Sequence, residues 1–304
     1  MKVQLKTWLV TPVLIATACI TGGGNDATNV VATTSIWGQV VRGVAGEDAE
    51  VTVLMPVGAD AHDFQMSSSQ AALVATADLV VANGLGLEEG MHDALESAMA
   101  EGANVLEVGG FLDPVPLVGQ GDEDHDQNGF DPHVWMDPIR VSRAAELIAE
   151  RMSELRAEID WATRAEVFTA RMVAADVEIR EILSVVPAVD RKLVTNHEAL
   201  GYFADRYEFE VIGSVIPGPS TLDQPSSAEL AALVATMREA GVTVIFAETV
   251  DSTALAEAVA AELGQQALVV ELFTESLGPS GSGADTLAGM LVTNARLIAD
   301  ALVR

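Results

Sequence analysis

Residues 226–246 read SSAELAALVATMREAGVTVIF, and this stretch sets the fold class. Ser226-Ser227-Ala228-Glu229 has the Ser-x-x-Glu form of a capping box, in which the serine and the glutamate satisfy each other's free backbone N–H groups. Leu230, Leu233, Val234 and Met237 follow at i, i+3, i+4, i+7 and give one apolar helix face. Gly241 ends that helix, and Val242-Thr243-Val244-Ile245-Phe246 is a continuous apolar strand of the kind buried on both faces.

The same alternation extends outward. Ala254 to Leu263 reads as the next helix, closed by Gly264, and Ala267 to Val270 as the next strand. Upstream, Leu193-Val194-Thr195 and Phe209 to Val215 are strands. In the first half Val30 to Thr34, Val51 to Met55 and Leu79 to Ala82 are strands. Between them lie a helix over Ile36 to Val44 and one opened by the capping box Ser67-Ser68-Ser69-Gln70. Strand–helix alternation with apolar strands predicts an α/β protein whose parallel sheets carry helices on both faces. Its 304 residues predict two such lobes.

Between the halves, residues 141–186 contain no Gly or Pro. Trp161 to Leu183 can form one helix of about 25 residues, roughly 37 Å long, stiff enough to join the lobes. The expected layout is a first lobe at 29–160, a linker helix at 161–186 and a second lobe at 187–304. Gly119 to Asp131 reads as a solvated acidic loop.

The amino terminus is expected to be a secretory signal over residues 1–18. Lys2 and Lys6 precede a short apolar run, Ala16-Thr17-Ala18 are small, and Cys19 follows. Cys19 is the only cysteine, so no disulfide forms within the chain. Its position resembles a bacterial lipobox, which implies a lipid-anchored mature end and a flexible tether at 19–28. The protein is therefore expected outside the cytoplasm, on the outer face of a bacterial membrane or in the periplasm. With 45 acidic against 16 basic residues the formal charge is −29. Such a surface repels phosphate backbones, which argues against nucleic-acid binding.

Five histidines are few enough to weigh singly. His62 follows the strand at Val51 to Met55, and His197 follows Leu193-Val194-Thr195. Loops after the carboxyl ends of parallel strands are where open α/β sheets place ligands. His133 sits in Asp131-Pro132-His133-Val134-Trp135-Met136-Asp137-Pro138. Position alone leaves each of these open to being an ordinary polar loop residue. His92 reads as a helix-surface residue and His125 as part of the acidic loop.

From about residue 29 to the end, the chain resembles the zinc/manganese-type solute-binding proteins of ABC importers. Leu54-Met55-Pro56-Val57-Gly58-Ala59-Asp60-Ala61-His62 is close to the family's Leu-x-Pro-x-Gly-x-Asp-Pro-His. Asn83-Gly84-Leu85-Gly86-Leu87-Glu88 also fits, and residues 131–138 meet Asp-Pro-His-x-Trp-x-Asp-Pro in full. His197, Ala199, Gly201, Tyr202 and Ala204 match His-x-Ala-x-Gly-Tyr-x-Ala. Leu272-Phe273-Thr274-Glu275-Ser276-Leu277-Gly278 resembles Leu-Tyr-x-Asp-Ser-Leu-Gly, with Asp285-Thr286 and Asn294 beyond it. Three departures stand out: Ala61 for proline, Gln65 for glutamate, and Glu275 where aspartate is usual.

The resemblance implies a metal held by His62, His133, His197 and Glu275, two from each lobe, and delivered to a separate membrane permease. It implies Asp131 and Asp137 as supports of the His133 loop. Three imidazoles and one carboxylate suit Zn2+ better than Mn2+, which prefers more oxygen. A manganese- or iron-specific protein of the same type is the nearest alternative. A metal-dependent hydrolase is a rival of another class, but His197-Glu198-Ala199-Leu200-Gly201 lacks the second histidine of His-Glu-x-x-His, and there is no Gly-x-Ser-x-Gly elbow or Walker A loop. A surface adhesin is a further rival without a sequence feature of its own. The expectation is a monomeric binding protein and not an enzyme.

Overall fold

The computed structural model describes residues 27–117 and 129–303. Cys19, the signal region and His125 lie outside the described residues.

Two parallel four-stranded sheets form the framework. The first lobe contains β1 (Thr28–Ala32), α1 (Ser35–Ala45), β2 (Ala49–Val53), α2 (Ser68–Thr76), β3 (Leu79–Ala82), α3 (His92–Ala100) and β4 (Val105–Glu107). Its strand order is β2-β1-β3-β4. Two helices follow, α4 (Pro138–Leu155) and α5 (Trp161–Leu183). The second lobe contains β5 (Lys192–Thr195), α6 (Gly201–Tyr207), β6 (Glu210–Ser214), α7 (Ser227–Ala240), β7 (Val244–Glu248), α8 (Ala254–Leu263), β8 (Leu268–Leu272) and α9 (Leu287–Leu302). Its order, β6-β5-β7-β8, repeats that of the first sheet. In each, the winding direction reverses between the first and third strands, which is where such sheets open a ligand crevice.

The capping boxes at Ser67/Gln70 and Ser226/Glu229 are both formed, and they open α2 and α7. Gly241 adopts φ +68° and ends α7 in the left-handed conformation that glycine tolerates best. The observed β2 begins two residues before the expected strand, and β1 likewise starts at Thr28.

The expected helix at Trp161 to Leu183 is α5, opened by Asp160, whose carboxylate accepts from Thr163 N. At 23 residues it is about 34 Å long. It is no isolated strut. It packs against α4, α1 and α9. One continuous buried cluster runs from Val31, Trp37 and Val80 through Ile148, Phe168 and Ile179 to Leu193, Phe246 and Leu291. The two sheets therefore share a core across α5 and α9. A smaller cluster around Val194, Met237, Ile245 and Val259 covers the outer face of the second sheet. Among the described residues no helix is long and apolar enough to cross a membrane.

Candidate metal centre

His62, His133, His197 and Glu275 converge where the two lobes meet, each no more than 2% exposed. One donor atom from each lies within 4.8 Å of the others. Nε2 of His133 and Nε2 of His197 are 3.1 Å apart. Glu275 Oε1 lies 3.3 Å from the first and 3.6 Å from the second, and Glu275 Oε2 lies 3.9 Å from His62 Nε2. Donors bonded at roughly 2.0–2.1 Å to a tetrahedral zinc ion stand about 3.3 Å apart. The spacings bracket that value. Both Glu275 oxygens and His62 Nε2 lack hydrogen-bond partners. Buried polar atoms without partners are costly, so a shared cation is the physical resolution.

Each imidazole turns its other nitrogen to a carboxylate. Nδ1 of His133 is 2.7 Å from Asp131 Oδ1, which also accepts from His133 N at 2.9 Å. Nδ1 of His62 is 3.2 Å from Glu89 Oε1, and Nδ1 of His197 is 2.5 Å from Glu248 Oε1. The last contact is short, but the ring N–H does not point straight at the oxygen. A carboxylate can only accept, so the proton sits on Nδ1 and Nε2 is left to bind.

The loops are held in place from several elements. Buried Glu88 accepts from Asn83 N, Gly84 N and Thr33 Oγ1, closing the turn over residues 83–88. Burial raises its pKa. That turn presents Asn83, whose Nδ2 donates to the carbonyl of Pro132, next to His133. Asp137 caps α4 by accepting from Ile139 N and fixes the other end of the loop. On the second lobe, Asn294 of α9 brackets Phe273, accepting from its N–H and donating to its carbonyl. Trp135 Nε1 donates across the cleft to Thr274 O at 2.7 Å, and Gly58 N donates to Ser276 Oγ at 2.8 Å. Glu275 is thus fixed on both sides by the first lobe.

Without a cation, His133 and His197 hold their protons more tightly than free imidazoles do. Burial opposes charge on His133, but Glu275 and Asp131 outweigh it and hold the imidazole up at about 10. Burial opposes charge on His197 too, and Glu248 again outweighs it, so its pKa is raised. Burial pushes Glu275 up, but the imidazoles, His133 foremost, pull it down to about 2. A divalent cation arriving here competes with those protons for Nε2.

The structure brings all four residues named from the sequence into one cluster. His92 stands apart, exposed at the start of α3 beside Glu96. Glu89 and Glu248 escaped the sequence reading. Glu248 ends a strand legible in sequence, and that was the one available signal, since its carboxylate meets His197 only through the pairing of β7 beside β5.

Two parallel α/β lobes closed over a buried cluster of three imidazoles and a carboxylate define the class, a two-lobed solute-binding protein with the periplasmic metal-binding fold. The chain belongs to the ZnuA family, described as zinc-uptake complex component A, periplasmic, whose profile matches residues 30–301. Manganese-binding lipoprotein MntA of Halalkalibacterium halodurans is 28% identical over 301 residues, covering 96% of each chain. Zinc-binding protein TroA of Treponema pallidum is 28% identical over 281 residues, covering 90% of this chain and 89% of its own. The solved structure of the periplasmic zinc-binding protein TroA from Treponema pallidum matches with a TM-score of 0.80 at 28% identity, over 91% of this chain and 99% of that one.

Proposed function

We propose that this chain is the substrate-binding component of an ABC importer. It captures a divalent transition metal, zinc in preference to manganese, on His62, His133, His197 and Glu275. The observation that carries the reading is the convergence of three Nε2 atoms on a carboxylate with no partner of its own, in a fully buried cleft. Each lobe supplies two ligands, so the ion pins the lobes together. The core shared along α5 and α9 favours a small tilt over a wide hinge on release. The four candidate ligands are each at most 2% exposed, which favours carriage over catalysis. The loaded protein then docks on a membrane permease. A lipid on Cys19 would hold the monomer at the outer face of the membrane, within reach of that permease.

The relatives are named for both metals, manganese for MntA and zinc for TroA. The donor set here has three nitrogens, and manganese prefers oxygen. Chelator-stripped protein loaded competitively with zinc and manganese, beside His197→Ala, tests the reading by metal analysis. One zinc per chain, lost in the variant, supports it. Equal retention of manganese overturns the preference, and absence of bound metal overturns the ligand set.

A further inference from the structure

The three carboxylates behind the histidines are not equivalent. Asp131 and Glu248 belong to the same lobe as the imidazole each supports, and both are buried. Glu89, behind His62, is 40% exposed, and the Ser220 hydroxyl of the opposite lobe faces it. Next to it, Thr221 Oγ1 donates to Asp60 Oδ2 at 2.7 Å, while Asp60 Oδ1 accepts from His62 N at 2.8 Å. Thr221 of the second lobe thus holds the first-lobe carboxylate that sets the backbone of His62, and its neighbour Ser220 faces the one that sets the ring.

Ser220 and Thr221 lie in the connection between β6 and α7, residues 215–226. It carries Pro217, Pro219 and Pro225, whose fixed φ leaves the segment few conformations. Its root is tied to the His197 loop, because Ile216 N donates to Asn196 O at 2.7 Å and Glu198 N donates to Gly218 O at 2.9 Å. One stiff strap therefore starts beside one candidate ligand and ends on the supports of another, across the cleft.

We infer that this strap is the gate of the site, and that His62 is the first ligand to let go of the ion. With the strap seated, Glu89 and Asp60 hold His62 in place. When it lifts, Asp60 loses its partner on the other lobe, the hydroxyl facing Glu89 withdraws, and His62 turns away, leaving His133, His197 and Glu275 to complete release. This rests on the proposed ligand set.

The test is zinc release. The full chain, loaded with one equivalent of zinc, is mixed rapidly with excess chelator, and transfer is followed for wild type, Ser220→Ala/Thr221→Val and Glu89→Ala. Ser220 and Thr221 lie at the rim and support no ligand ring directly, so Ser220→Ala/Thr221→Val should bind one zinc per chain with zinc in excess. Metal-free melting temperatures should match wild type. Release should be about tenfold faster in both, in line with the loss of a ligand's supporting partner. Glu89→Gln, which keeps an acceptor at the same reach, should fall between wild type and Glu89→Ala. Release within twofold of wild type in Ser220→Ala/Thr221→Val overturns the gate, whatever Glu89→Ala does, while leaving the ligand set standing. A wild-type chain that holds no zinc overturns the ligand set and the gate with it.

Discussion

Gly201, at the start of α6 in the second lobe, packs so closely on Asp131 of the first that a Cβ at residue 201 would lie 2.5 Å from Asp131 Oδ2. The other oxygen of the same carboxylate holds both the backbone N–H and the ring of His133. The glycine is therefore required by the cleft and not by its own backbone. Gly201→Ala must push Asp131 aside and tilt His133 without deleting any candidate ligand. Zinc affinity should fall about tenfold, the lower end of what loss of a supporting carboxylate costs. Competition titration against a chelator measures it, and an unchanged affinity would show that the carboxylate can shift without disturbing the ring.

Protons and metal compete for the same nitrogens, and the direction of the pKa shifts sets the pH range. A histidine titrates near 6.5 in an unfolded chain, and His133 is held up at about 10 in the folded, metal-free one. A raised folded pKa gives stability that is whole below about 6.5 and is lost as pH rises toward about 10. The metal-free chain should therefore melt lower at pH 9 than at pH 7. Zinc affinity should move the opposite way and keep rising across that range, beyond the loss below about pH 6 expected of ordinary histidines. Calorimetric titration at both pH values, in buffers of different ionisation enthalpy, reports affinity and protons released together. An affinity flat from pH 6 to 9 would contradict the shift.

Glu248 is the carboxylate behind His197, 2.5 Å from Nδ1 and 2% exposed. Its Oε2 has no partner of its own, so the residue contributes little to the fold beyond that contact. Glu248→Ala should weaken zinc binding about 10- to 100-fold while leaving His197 available. Glu248→Gln retains an acceptor and should lose less. Equal affinity in all three proteins would assign the orientation of His197 to its backbone alone.

The sequence discloses these features unevenly, and the reasons are physical. Strands buried on both faces, such as Leu79–Ala82 and Val244–Glu248, read as apolar runs, and the two capping boxes mark their helices. β4 has only three residues and borrows its pairing from β3, so local composition carries no mark of it. The break between α4 and α5 has neither Gly nor Pro. There the chain turns at Arg156 to Asp160 because Asp160 caps α5 and Trp161 is buried. His62, His133, His197 and Glu275 were legible because each lies in a patterned segment. Asp131 was legible for the same reason, lying two residues before its histidine. Glu89 and Glu248 meet theirs only after the chain has folded, and no local spacing announces that.

Arg206 ties the frame behind the site together. It lies on α6 and binds Asp176 of α5 through Nε at 2.7 Å and Nη2 at 2.8 Å, and its Nε is 3.3 Å from Asp137, the cap of α4. Tyr207 OH donates to the same Asp176 at 3.0 Å. Burial raises the Asp176 pKa, but Arg206 and Tyr207 outweigh it, so the carboxyl ends below its ordinary 3.8. A lowered folded pKa gives stability that is present above the unfolded value and is lost as pH falls through the folded one. Asp176→Ala removes the carboxylate and leaves Arg206 with only Asp137. Two charge-assisted hydrogen bonds are lost while Asp137 remains, which costs about 1.5–3 kcal/mol. Urea unfolding at pH 7 should show a loss of that order. The variant's stability should also fall less steeply than wild type's between pH 4 and pH 2. A variant as stable as wild type at pH 7 would mean that Asp137 alone satisfies the guanidinium, and that α5 is held to the second lobe by apolar packing.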